Sequence, residues 1–377
     1  MRRAATILSA IVMALTVLGL VMLYSTSSAR TVNPHFYLQR QLAWLVVATV
    51  AGVVVTRMDY RLWRRIAVPL AAFTLVLLVL VFVPGIGAEI KGSNRWIQFG
   101  PAGFKLGFQP SELSKLTVIV CMSAYMAKFG RHGYLFTRGL LYPMMGLGVI
   151  AGMVILEPDF GTTFTASVVA MCIMFAGGTR VVYLLGTGVC GLAGFAVAIF
   201  YSPNRIGRVM SFLWPEKYPD QAYHLTQSLY SFYLGGAFGV GLGNSIQKRF
   251  YLPEAHTDFI LAIIAEELGL IATLLVLFLF VGYFICGMSI SRRAPDPFGR
   301  LLGFGVTMMI TLQAGINMAV VTGLGPTKGL PLPFISYGGS SLVMSIVMSA
   351  VLLSIARSSS VAAEARPRVI RDCAHDL

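Results

Sequence analysis

The chain is short of charge. Only 12% of its 377 residues are Asp, Glu, Lys or Arg, about half the share in an ordinary soluble domain. So few charged groups cannot clothe a water-facing surface, which excludes a soluble globular protein. Acidic side chains are scarcer still, 15 against 29 Lys and Arg, so a carboxylate near an apolar segment needs a specific reason to be there. The five cysteines show no Cys-x-x-Cys or Cys/His spacing, and neither a disulfide framework nor a zinc site is expected.

What is plentiful is apolar length. Hydrophobic residues make up 56% of the chain, and apolar runs lie near 4–24, 38–56, 66–84, 112–127, 140–156, 161–178, 181–200, 258–285, 299–321 and 340–356. Most reach or approach the roughly 20 residues that span a bilayer core of about 30 Å as a helix. This predicts an all-α polytopic membrane protein of about ten transmembrane helices, forming a single domain over residues 1–357. The run from Ala4 to Tyr24 is longer than the about 7–15 residues of a signal peptide's apolar region, so it reads as an uncleaved first span. Residues 358–377, rich in Ser, Ala and Arg and without periodicity, read as a disordered cytoplasmic tail.

The net charge of +14 does not indicate nucleic acid, because the cations sit in short clusters between apolar runs. Arg57, Arg61, Arg64 and Arg65, then Lys128, Arg131 and Arg138, then Arg180, then Arg292, Arg293 and Arg300, and finally Arg357 fall on alternate connections. They predict that these connections and both termini are cytoplasmic. Function then concentrates in the four outer segments, a short one near Arg30 and those near 85–111, 201–257 and 322–339, of which 201–257 is a large extracytoplasmic loop between helices 7 and 8. Two of these carry cations of their own, Lys91, Arg95 and Lys105 in one and Arg205, Arg208, Lys217, Lys248 and Arg249 in the other; long loops translocate despite such charge. Residues 226–246 are nearly apolar enough to cross, but five glycines with Gln227 and Asn244 argue for a re-entrant or interfacial element.

Four constellations stand out. In Gln109-Pro110-Ser111-Glu112-Leu113-Ser114-Lys115, Pro110 and Ser111 suit a helix start, and Glu112 and Lys115 share a face, either as an ion pair or as part of a polar cavity. Glu157-Pro158-Asp159-Phe160-Gly161-Thr162 reads as a tight hairpin whose Asp159 holds a neighbouring helix or a cation. In Tyr251 to Ile260, Glu254, His256 and Asp258 face the long loop beside its cations, and Asp258 sits where a long helix begins. Glu266, eight residues deeper and about 80° round that helix, is not its catalytic pair. Residues 323–341 are too irregular for open lipid and must line or cover a cavity, where Lys328, Ser336 and the amides of Gly338 and Gly339 are placed to meet an anion. The Gly239-Val240-Gly241-Leu242-Gly243 run follows no strand of a βαβ unit, so close packing accounts for it better than a nucleotide does.

Taken together, RWI at 95–97, QPSELSK at 109–115, EPDFGT at 157–162, YLPEAHTDFI at 251–260, EELG at 266–269 and KGLPLPFISYGGSS at 328–341 resemble the SEDS family, which comprises the RodA, FtsW and SpoVE type proteins. The segments around 240–260 and 326–341 are more similar to its division branch than to its elongation branch. The resemblance implies the SEDS fold of ten helices with cytoplasmic termini, placed in the bacterial inner membrane at the division septum. It also implies a peptidoglycan glycosyltransferase that polymerises lipid II beside a class B penicillin-binding transpeptidase and other divisome membrane proteins, in contact with membrane lipids and with no nucleic acid. Carried over, Asp258 is the essential acidic residue and general base, and a divalent cation, Mg or Mn, would be held there. Glu112, Lys115 and Asp159 match positions around a central cavity, and Arg95 and Lys328 match motif cations. Expulsion of pyrophosphate needs a base and cations but no second acid. Two rivals from other classes are a lipid II flippase, which a polar cavity would also serve, and a non-catalytic scaffold.

The sidedness is testable by labelling. Cysteines placed at Ser202 and Gly325 should react with an impermeant thiol reagent from outside and one at Ser291 should not, whereas the reverse pattern would overturn the topology.

Overall fold

The structure is a computed structural model and describes the chain except for residues 28–34, 91–92, 100–105, 202, 250 and 376–377; side chains are also left aside at 89–90, 93–94, 106, 198, 203–205 and 360–375. Lys91, Lys105 and Ser202 therefore lie outside the described residues. Helices occupy all of the apolar runs: α1 (Arg2–Ser27), α2 (Phe36–Arg57), a short α3 (Arg61–Arg65) leading into α4 (Ala67–Leu80), α5 (Pro110–Phe129), α6 (Tyr142–Leu156), α7 (Phe160–Ala176) and α8 (Val181–Phe200). After α9 (Pro203–Leu213) and α10 (Pro219–Gly235) come α11 (Ile260–Arg292), α12 (Pro297–Val321) and α13 (Gly339–His375). Among the described residues six helices are long and apolar enough to cross a bilayer, with shorter apolar helices at Ala67–Leu80, Phe160–Ala176 and Val181–Val197. The protein is a multi-pass membrane protein.

One feature differs from the sequence reading. The expectation of an all-helical chain misses a small antiparallel sheet, β1 (Gly87–Ile90), β2 (Ser93–Phe99) and β3 (Leu106–Phe108), in the order β1-β2-β3. Trp96 of β2 covers Gly107 of β3, where a Cβ would lie 3.1 Å from its ring.

Alternate connections meet at opposite ends of the bundle. At one end the arginine-bearing turns converge: Arg357 donates to the Arg57 carbonyl at 3.3 Å, Ser354 to that of Met58 at 2.6 Å, and the Tyr60 hydroxyl to Asp296. Burial and the Asp296 carboxylate raise the pKa of that phenol. At the other end the sheet, the 157–159 turn, the 251–259 segment and residues 328–338 come together. Ser291, at 4% exposure, is covered in the first end, so exposed Arg293 beside it is the better labelling position.

The segment after α10 enters the bundle. It docks against a break in α11 at Gly269, which has φ 80° and ψ −177° and lies nine residues, about 14 Å, along the helix from Ile260. The break frees backbone carbonyls that the segment satisfies: Val240 N donates to Glu266 O at 2.9 Å and Gly241 N to Glu267 O at 3.0 Å. In return Leu270 N donates to Gly236 O at 3.0 Å. Glu266, buried, accepts from Ser245 Oγ and at 2.8 Å from Ile246 N. Glu267 takes Lys248 Nζ at 2.8 Å and Ser25 Oγ at 2.7 Å. Gly235 and Gly239 are thus there for close backbone approach, where a Cβ would run into Ala265 O and Glu267 O, Gly236, Gly241 and Gly243 supply positive φ, and Lys248, read as a loop cation, is an internal partner of Glu267.

A Cβ at Gly269 would run into Ala237 O and lie 2.5 Å from Gly239 N, in a region of φ,ψ open essentially to glycine alone. Gly269→Ala should abolish monodisperse protein in size-exclusion chromatography. Gly315→Ala, which meets open space on α12, should leave the melting temperature unchanged or raised, by up to about 1 kcal/mol of stability.

Candidate functional site

Lys115 is among the most buried charged groups of the described residues. Pro110 begins α5, where a missing N–H costs nothing, and one turn on Glu112 and Lys115 point into the bundle at 4% and 1% exposure. Their charges meet at 2.7 Å, with Glu112 Oε2 making no aligned hydrogen bond; the pair is held by charge. Lys115 Nζ also donates to Gln313 Oε1 at 2.9 Å. From there α12 carries the polar chain outward. Gln313 Nε2 donates to Pro331 O at 2.8 Å, and one turn on Asn317 Nδ2 donates to Asp258 O at 2.8 Å and Leu330 O at 2.7 Å. The motifs do not point to Gln313 or Asn317, although two amides at i, i+4 in an apolar span are a readable signal.

Asp258 stands just before α11. Gly329 passes so close that a Cβ there would lie 2.8 Å from Asp258 Oδ2, so glycine gives the carboxylate room beside the loop. Backbone pairing fixes the two segments together: Tyr337 N donates to His256 O at 2.9 Å, and Ser336 Oγ donates to Thr257 O at 2.7 Å while accepting from Leu332 N at 2.7 Å. His256 stacks on Tyr37 with ring centroids 4.2 Å apart, and Glu254 Oε2 accepts from Thr257 at 3.0 Å. Gly338 N donates to Gln41 at 3.3 Å, and Gly339 lacks a side chain where Trp44 presses in. Ser336 thus joins the two segments, and Gly338 and Gly339 meet α2 through Gln41 and Trp44.

The other carboxylates sit in the 157–159 turn. Asp159 caps α7, accepting from Thr162 N at 3.1 Å, and its other oxygen takes Ser111 Oγ at 2.9 Å and Gln109 Nε2 at 3.2 Å, so it ties α7 to α5. Arg95 on β2 caps the turn through the Glu157 carbonyl at 2.7 Å and the Pro158 carbonyl at 3.1 Å. Glu157 is fully buried and its carboxyl oxygens find no hydrogen-bond partner among the described residues. Burial, then the nearby Asp159, push its pKa up to about 8 against the pull of Arg95, so it is neutral at pH 7. Lys328 lies against Gly161, whose added Cβ would be 3.5 Å from Lys328 Cε, and its ammonium sits 4.3 Å from the Phe164 ring centroid. Burial lowers its pKa to about 8, with Asp159 opposing.

The site thus has two lobes joined by the 328–331 segment. One holds Asp258; the other holds Asp159, Glu157, Arg95 and Lys328. The Glu112–Lys115 pair lies beneath, linked through α12. Among the described residues no three His, Cys, Asp or Glu side chains gather as metal ligands, so Asp258 stands as a single carboxylate toward any cation.

A family model described as cell cycle protein, for FtsW, RodA and SpoVE, matches residues 5–361. The probable peptidoglycan glycosyltransferase FtsW of Trichlorobacter lovleyi is 44% identical over 354 residues, 93% of this chain and 92% of its own. Stage V sporulation protein E of Bacillus subtilis is 38% identical over 93% of this chain and 96% of its own. Among solved structures, a chain from a peptidoglycan synthase complex that coordinates polymerization and crosslinking superposes with a TM-score of 0.77 at 26% identity, covering 93% of this chain and 97% of that one. The rod shape determining protein RodA of Thermus thermophilus gives 0.68 at 26% identity over 93% and 96%.

Reactivity of Lys328 checks the electrostatics of the second lobe. Amine-selective labelling followed by mass spectrometry should show half-maximal reactivity near pH 8 rather than near the usual lysine value, and Asp159→Asn should move the midpoint lower still. A midpoint above 10 would show that the ammonium is solvated.

Proposed function

This chain belongs to the FtsW, RodA and SpoVE family, also called SEDS, and from that membership we propose that it is a peptidoglycan glycosyltransferase that polymerises lipid II into glycan strands during septal wall synthesis. The observation that carries the reading at the site is the Asp258 carboxylate set against Gly329 beside the Lys328 segment. In the reaction the 4-hydroxyl of one lipid II sugar attacks the anomeric carbon of the growing strand. Asp258 takes the hydroxyl proton, the new C–O bond forms, and the old C–O bond breaks with its electron pair leaving on undecaprenyl pyrophosphate. A single displacement of this kind inverts the configuration.

Pyrophosphate leaves without protonation by a second acid, so cations matter more than a carboxylic acid on that side. Lys328, still mostly charged at pH 7 with its pKa about 8, is suited to the departing charge. Arg95 holds the turn beneath it and keeps further guanidinium donors. A divalent cation, Mg or Mn, belongs to the proposal as a group held by Asp258 together with substrate phosphates; it would supply further charge neutralisation. The loop-bearing end of the bundle faces outward and both termini lie in the cytoplasm, in keeping with the arginine-bearing connections at the other end. A class B penicillin-binding transpeptidase is the proposed partner, with other divisome membrane proteins beside it.

The test is glycan formation from fluorescent lipid II by the purified chain, with and without the cognate transpeptidase. Wild type should give polymer and a well-folded Asp258→Asn variant none, a loss of at least about 10³-fold. No polymer from wild type with the partner present would redirect the reading to lipid transport or scaffolding.

A further inference from the structure

We infer that Asn317, with Gln313 one turn before it, is a positioning residue that sets where Asp258 stands relative to the Lys328-bearing segment. This rests on the reading of Asp258 as the base. The amide group of Asn317 has two N–H protons, and the structure uses its nitrogen for two acceptors on different segments, the Asp258 carbonyl at 2.8 Å and the Leu330 carbonyl at 2.7 Å. Asn317 is 1% exposed, and its Oδ1 is buried with no hydrogen-bond partner among the described residues. Turning the amide over would aim that oxygen at two carbonyls, so the two donations fix its orientation even though one acceptor is left unsatisfied.

Gln313 works in the same sense. Its oxygen faces the Lys115 ammonium and its nitrogen faces the Pro331 carbonyl. The buried cation therefore decides which end of the amide reaches the loop. Pro331, Leu330 and Asp258 are gripped from one face of α12, over a single helical turn, by groups that do not reach the reacting atoms themselves. Direct displacement requires the base at the attacking hydroxyl while a cation attends the pyrophosphate. A shift of about 1 Å between such groups costs on the order of a hundredfold in rate while leaving the bulk of substrate binding in place. On this account Lys115 and Glu112 serve the reaction through α12 and the loop.

The experiment measures kcat and KM for fluorescent lipid II with the full chain in lipid nanodiscs and the cognate transpeptidase present. It compares wild type, Asp258→Asn and Asn317→Ala, each checked for a folded melting transition. Asn317→Ala should lower kcat tenfold or more and keep KM within threefold. A kcat within twofold of wild type overturns the inference, as does a rise in KM that accounts for the whole loss, which would make Asn317 a binding residue. Should Asn317→Ala fail to fold, Gln313→Glu carries the same test, because it keeps an acceptor for Lys115 and removes the donor to Pro331; it too should lower kcat with KM held, and unchanged kcat would count against the inference. The Asp258→Asn arm separates the two readings. Polymer from that variant defeats the base assignment, whereas an inactive Asp258→Asn beside a fully active Asn317→Ala defeats only the positioning role.

Discussion

A cation in an apolar bundle has to be neutralised where it stands, and Lys115 imposes that requirement on everything around it. Its ammonium is 1% exposed, and an isolated charge at that depth would be shed by deprotonation or by unfolding. Glu112 supplies the countercharge at 2.7 Å and Gln313 the next acceptor at 2.9 Å. Because a glutamine that accepts at one end must donate at the other, the demand passes outward along α12 to Pro331, and one turn later Asn317 repeats the donation to Leu330 and Asp258. A buried electrostatic need in the core thereby fixes irregular backbone at the end of the bundle.

The same bookkeeping of backbone groups explains how irregular segments survive inside a membrane protein. The Gly269 break in α11 would leave carbonyls unsatisfied, and the segment 236–248 returns amides to them while Glu266, Glu267, Lys248 and Ser25 satisfy one another alongside. At the site, the segments 256–258 and 330–338 pair through main-chain and Ser336 bonds. In each place glycine is found where two backbones approach too closely for a Cβ, or where a carboxylate needs the room. The 157–159 turn follows a different logic: Asp159 ties α5 to α7, while burial raises the pKa of Glu157 to about 8 and so lessens the charge it buries at pH 7.

Much of this was legible in the sequence. Apolar length placed a helix at each of the runs, and Pro110 marked the start of α5 because proline has no N–H to lose there. The Glu112 and Lys115 spacing led directly to their contact, and the position of Asp258 at a helix entrance followed from the change from polar to apolar residues after it. The sheet escaped notice because strands of three to seven residues interrupted by glycines carry almost no periodicity. Lys248 was misread as a surface cation because its partners, Ser25 and Glu267, are distant in sequence, and a charge is identified as buried only when its partner is known. Ser336 and Gly338 were visible as motif residues, but their bonds to Thr257, Leu332 and Gln41 and the packing of Gly339 on Trp44 are contacts that only tertiary structure creates. Gln313 and Asn317 were visible as polar residues in an apolar run but belong to no motif.

The coupling of the buried cation to Asp258 through α12 is the claim on which the rest turns, and a double-mutant cycle on kcat between Lys115→Met and Asn317→Ala tests it most directly. If the polar chain acts as one unit, the double variant falls no further than the more impaired single variant. Losses that multiply, with the double variant at the product of the two single effects, would show that Lys115 and Asn317 act independently and would contradict the account.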